Sequence, residues 1–125
     1  MALWKTRTTL NQLTERSKNT LNEHLGIEFL EIGDDYLKAK MPVDGRTKQP
    51  AGLLHGGASV ALAETLGSVA AGLCVNRETK EIVGLEINAN HIRPVYDGWV
   101  IGITKPIHVG KSTQIWEIRI YNEED

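Results

Sequence analysis

Leu53-Leu54-His55-Gly56-Gly57 leads straight into an apolar run, ASVALAETLGSVAAGLCV over 58–75, whose one charged residue is Glu64. A carboxylate at the middle of an apolar helix is expected to be buried. It must then be hydrogen-bonded, paired, or raised in pKa, because desolvation disfavours its charged form. A glycine pair before the helix leaves backbone N–H groups and the positive end of the helix dipole exposed. Together these supply an oxyanion-binding end and, two turns on, an acid or base. Val60, Glu64 and Ser68 are four apart and share a helix face, so Ser68 can position water or substrate beside the carboxylate. The alternative for Glu64 is a structural hydrogen-bond network.

His55 sits where it could cap the helix or meet a substrate. A backbone N–H at Gly56 can polarise a carbonyl, and the Gln49 side chain, before Pro50, can donate a second hydrogen bond. His91 in Asn88-Ala89-Asn90-His91-Ile92-Arg93 is expected to end a strand, as a cleft residue or a structural one. The histidines 24, 55, 91 and 108 show no zinc-ligand spacing, so no metal is expected. No Gly-x-Ser-x-Gly elbow, phosphate loop or dinucleotide fingerprint is present, and no cofactor is expected. Cys74 reads as packing. Arg93, Lys105 and Lys111 fall near strand ends, with Gly110-Lys111-Ser112 in a turn, where they could hold phosphates or face solvent.

The elements that position these residues follow from periodicity. Residues 9–24 read as a helix, with capping-box spacing at Thr9 and Gln12 and a stop at Gly26. Strands are expected at Glu28–Ile32, Tyr36–Met41, Glu81–Ile92, Gly98–Ile107 and Thr113–Tyr121. Tyr36, Lys38 and Lys40 alternate with Leu37, Ala39 and Met41, the period of a half-buried strand. Gly84 marks a bulge or a close backbone approach. The central helix is expected over about Gly57–Val75, apolar nearly all round and so buried on most sides. Five strands and one long helix predict an α+β fold, with an antiparallel sheet curling around the helix.

The 125 residues suit one domain, 1–125. A net charge of −2 with no basic block gives no footprint for nucleic acid. One cysteine excludes an intrachain disulfide framework and fits a reducing, cytoplasmic setting. Glu64 within the apolar run, and its Gly, Ala and Ser content, argue against a membrane span.

The stretch MPVDGRTKQPAGLLHGGASVALAETLGSVAAGLC, followed by VGLEINANHIRP, resembles the hotdog-fold acyl-coenzyme A thioesterases. Within them it is most similar to the bacterial branch that includes 1,4-dihydroxy-2-naphthoyl-CoA thioesterase and the enterobactin-pathway proofreading thioesterase. The likeness runs from Leu3-Trp4-Lys5 to about Tyr121. It implies a long helix wrapped by an antiparallel sheet, and a homodimer or homotetramer whose sheets pair side by side with active sites shared between subunits. Glu64 matches the catalytic carboxylate, a general base on water or a nucleophile through an anhydride. Gly56 N–H and the Gln49 side chain match the groups that polarise the thioester carbonyl, while His55 and Ser68 match residues that position substrate and water. Gly84, His91, Ile92, Arg93 and Pro94, with His108, Val109, Gly110, Lys111, Ser112 and Thr113, match the segments lining the acyl and CoA pocket.

The resemblance implies an acyl-CoA or aroyl-CoA substrate, with 1,4-dihydroxy-2-naphthoyl-CoA of menaquinone biosynthesis leading. Family members continue by about another strand's length past Asn122-Glu123-Glu124-Asp125. That strand lies between the preceding one and the strand after the helix, so both neighbours are expected to have unpaired edges here. Ala51 stands where relatives often carry an aromatic, and would enlarge the acyl pocket if it lines it. The rival readings are a non-catalytic acyl-CoA-binding module, a hotdog dehydratase, and a proofreading thioesterase acting on an aryl carrier protein.

Overall fold

The computed structural model describes residues 2–124. Its first helix, α1 (Leu10–Ser17), begins with the expected capping box: Thr9 Oγ1 accepts from the Gln12 N–H (3.1 Å), and Gln12 Oε1 accepts from the Thr9 N–H (3.1 Å). The single helix expected over 9–24 is broken. Ser17 Oγ donates to the Leu13 carbonyl and Thr20 Oγ1 to the Ser17 carbonyl, local bonds that compete with helix propagation. Asn19 takes the left-handed conformation at φ 61°, which asparagine tolerates. The chain then resumes as α2 (Leu21–His24).

Strands β1 (Glu28–Ile32), β2 (Leu37–Pro42), β3 (Trp99–Val109) and β4 (Gln114–Asn122) form one antiparallel sheet in the order β1-β2-β3-β4. The alternation in β2 sends Leu37, Ala39 and Met41 to full burial beneath the long helix α3 (Gly56–Leu73). From α3, Leu62, Leu66 and Ala70 pack on them at four-residue spacing, together with Val100 of β3. Helix and sheet approach closely at Gly102, where a Cβ would stand 2.7 Å from Leu66 Cδ1. Pro106 falls beyond the last β2–β3 pair, at the end of β3 that β2 does not reach, where a missing N–H breaks no ladder on that side.

Two expectations about this core are corrected. The run 81–92 forms no strand: it passes beside α3 without strand pairing, with Val83, Leu85 and Ile92 more than four-fifths exposed. Alternating apolar residues form a ladder only against a neighbour, and β4 pairs in the sheet with β3 alone. The expected five-stranded sheet is therefore four-stranded among the described residues. Nor is α3 buried on most sides along its length. One face and the last turn are buried, most other positions are partly covered, and Gly57, Glu64 and Ser68 stand exposed in a single stripe.

The segment before α1 closes the far end of the helix. Lys5 and Thr6 N–H groups donate to the Leu73 carbonyl (2.7 and 3.0 Å), and Thr6 Oγ1 donates to the Val75 carbonyl. These bonds satisfy carbonyls that a helix end leaves without internal partners. Trp4 stacks on Trp116 of β4 and donates its indole N–H to the Gly33 carbonyl.

Candidate active site

The loop from 43 to 55 is built to deliver a fixed helix start. Thr47 is buried, donating its hydroxyl to the Pro42 carbonyl (2.6 Å) and its N–H to the Asp44 carbonyl (2.9 Å). The Arg46 guanidinium lies 2.7 Å from Asp44 and, with the Arg46 N–H, holds that carboxyl down at about 2. Gly52, at φ 91°, makes the tight return that lets its N–H reach the Gln49 carbonyl. Within this turn Gln49 Oε1 accepts from the Ala51 N–H. An amide has one oxygen and one NH₂, so pinning the oxygen leaves the Gln49 NH₂ as the available donor. Leu54 and His55 are then anchored by N–H bonds to the carbonyls of Val95 and Thr47, both 2.8 Å.

His55 is the N-cap of α3, and its Nδ1 accepts from the Gly57 N–H at 2.7 Å. With Nδ1 accepting, the neutral ring carries its proton on Nε2. The helix thus starts at Gly56, one residue earlier than expected. The Gly56 N–H has no acceptor among the described residues, and it sits at the positive end of the helix dipole. Glycine at 56 also leaves room for His91, because a Cβ there would lie 3.1 Å from His91 Nε2.

Glu64 lies two turns along the same helix. Gly84 passes directly over it: a Cβ on Gly84 would stand 3.6 Å from Glu64 Oε2. The expectation of a buried carboxylate is corrected, since Glu64 is exposed in the single chain. The physical reason is the uncovered stripe of α3. The neighbouring segment presents a glycine there, and no sheet edge is closed over it.

The chain therefore brings His55, Gly56, Glu64, Gly84 and His91 to one end and side of α3. Ser68 continues the stripe one turn beyond Glu64. Ile92, Arg93 and Pro94 follow His91 on the exposed run. The segment His108–Thr113 lies elsewhere. Its Gly110 N–H donates to the Thr113 carbonyl, Lys80 Nζ donates to the Lys111 carbonyl, and the adjoining Gln114 side chain donates to the Ala71 carbonyl. These bonds hold Val109, Lys111 and Ser112 by the C-terminal end of α3, about 22 Å of helical rise from Gly56. One chain does not unite the two groups.

Beside Ser68 the structure opens a cavity of about 230 Å³ that also touches Arg16 and Arg77. Sequence reading missed both arginines. Arg16 is on α1 and Arg77 follows α3, so no spacing along the chain links them.

Residues 51–125 match the family model described as the thioesterase superfamily. The chain is 55% identical to the proofreading thioesterase EntH of Cronobacter turicensis over 98% of this chain and 88% of that one. It is 53% identical to the 1,4-dihydroxy-2-naphthoyl-CoA hydrolase of Escherichia coli over 98% of this chain and 89% of that one. A crystal structure of a thioesterase from Haemophilus influenzae superposes with a TM-score of 0.94 at 52% identity, covering 98% of this chain and 85% of that one.

Proposed function

Because this chain belongs to the thioesterase superfamily, we propose that it hydrolyses an acyl- or aroyl-CoA thioester to the free acid and CoA. The leading substrate is 1,4-dihydroxy-2-naphthoyl-CoA, which would place the enzyme in menaquinone biosynthesis in the cytoplasm. The observation that carries the reading is the Gly56 N–H, without an acceptor among the described residues, at the start of a helix that displays Glu64 two turns on. A thioester needs one nucleophile and one place for the developing oxyanion, and these two groups supply both.

In this mechanism the thioester oxygen accepts from the Gly56 N–H and the Gln49 NH₂. Glu64 either takes a proton from water as the water attacks the carbonyl carbon, or attacks it directly to form an anhydride that water then opens. In both, the C–S bond breaks and CoA leaves as a thiolate, which needs no strong acid. His55 fixes the helix start, and Ser68 positions water or substrate along the stripe. Removing one oxyanion donor typically costs about 10²–10³ in rate.

Gly84, His91, Ile92, Arg93 and Pro94, with the segment His108–Thr113, line the acyl and CoA pocket. Their separation along α3 supports sites shared between subunits of a homodimer or homotetramer. The hairpin end of one protomer would then serve the helix start of another.

The test is thiol release from a panel of acyl- and aroyl-CoA esters, comparing wild type with Glu64→Gln. The nearly isosteric variant should fold normally and lose most turnover; wild-type-like release would remove Glu64 from the chemistry. A folded wild type that binds the esters without releasing thiol would instead be a binding module. A second reading, hydrolysis of an aroyl group from a carrier protein, is favoured by the 55% identity to a proofreading thioesterase. Faster release from a charged aryl carrier protein than from the matching CoA ester would select it.

A further inference from the structure

Along β4, Gln114, Trp116, Ile118 and Ile120 are partly covered, while Ile115, Glu117 and Arg119 between them are exposed. Gln114 thus extends an otherwise apolar row, and a polar group there needs partners. It has two. Its Oε1 accepts from the Trp116 indole N–H at 2.8 Å, and its Nε2 donates to the Ala71 carbonyl at 3.4 Å, in the last turn of α3. An indole can only donate, so it fixes the amide oxygen and turns the NH₂ toward the helix.

Trp116 is fixed in its turn. It stacks on Trp4, ring centroids 6.2 Å apart and planes 14° from parallel, and the Trp4 indole N–H donates to the Gly33 carbonyl at 2.8 Å. On either side of Trp4 the chain is pinned, by the Leu3 N–H on the Asp34 carbonyl and the Lys5 N–H on the Leu73 carbonyl, both 2.7 Å. Gln114 is also the first residue of β4 and pairs with Val109, the last of β3. Between them lies only the turn 110–113, whose Lys111 and Ser112 are exposed.

We infer that Gln114, oriented by Trp116, is a positioning residue that holds the turn 110–113 against the end of α3, where it meets the CoA half of the substrate. The inference rests on the proposed hydrolysis, in which that turn faces CoA. The thioester carbonyl meets other groups, Gly56 and Glu64. Loosening the turn therefore weakens the hold on CoA and spares the chemical step.

The experiment compares thiol release from benzoyl-CoA and from benzoyl-N-acetylcysteamine, which has the same reacting bond but no nucleotide and no phosphates. Gln114→Glu keeps the size and the acceptor for Trp116, but sets a carboxylate oxygen against the Ala71 carbonyl. It should raise KM for benzoyl-CoA by about tenfold, the usual worth of a lost hydrogen bond whose partner is left unmet. Both kcat for benzoyl-CoA and kcat/KM for the short ester should stay at the wild-type level. Trp116→Phe keeps a ring on Trp4 and removes the N–H that orients the amide. It should give the same split, and it carries the test if Gln114→Glu does not fold. A merely structural role would lower the urea midpoint, kcat and both esters together, which would overturn the assignment, as would an unchanged KM for benzoyl-CoA. If wild type releases thiol from neither ester, the hydrolysis reading fails instead, and calorimetry with CoA alone decides the turn. Weaker CoA binding in Gln114→Glu than in wild type then supports the positioning role, and equal binding, or none in either, refutes it.

Discussion

His55 caps α3 and, in the proposed mechanism, serves the site as well. Its Nδ1 accepts the Gly57 N–H, and so it satisfies one of the helix-start donors while leaving the neighbouring Gly56 N–H available. His55→Ala should lose about 1 kcal/mol from the missing cap, read as a lower urea midpoint, and should slow thiol release. His55→Asn separates the two roles, since asparagine caps well: its midpoint should return toward wild type while turnover stays low. Recovery of both would reduce His55 to a cap. The placement of His55 and Gly56 at a helix start, with Glu64 on the same helix, was legible in the local sequence. The exposure of Glu64 was not, because burial depends on what the rest of the chain lays over it.

At the scale of elements, β3 carries two adjacent inward positions that respond to substitution in opposite ways. Gly102 lets α3 settle against the sheet, with Leu66 Cδ1 only 2.7 Å from where a Cβ would stand. Gly102→Ala should overpack this contact and cost roughly 1–3 kcal/mol. Two residues on, Thr104 is fully buried, and its hydroxyl has no hydrogen-bond partner among the described residues. Thr104→Val removes that unmet group and should stabilise by about 1 kcal/mol. Chemical denaturation of the two variants checks both signs. β2 and α3 were readable from their periods, whereas the break at Lys18–Thr20 was not. There the hydroxyls of Ser17 and Thr20 outcompeted an apolar stripe that continued across the gap.

For the molecule as a whole, the single chain leaves Val83, Leu85, Ile92, Ile107 and Ile115 more than half exposed. Val83, Leu85 and Ile92 fall on one unpaired run, an exposed apolar stretch of the kind that a partner covers. On the proposal that sites are shared between subunits, light scattering should give twice or four times the chain mass. Leu85→Lys should shift the population toward monomer and lower turnover together. A monomer that turns over at full rate would dismiss the shared site.

The sequence by itself determined the α+β class, the long helix with its glycine start, the alternation of β2, and the family. Those features are written in local spacing and in a motif whose residue types the chemistry demands. Tertiary structure decided the rest. A strand exists only if another lies beside it, so 81–92 stayed unpaired despite its alternating residues. Arginines 16 and 77 line one cavity only because α1 and the end of α3 converge on it. Contacts of that kind join residues far apart in the chain, and no local pattern specifies which surfaces will close on one another.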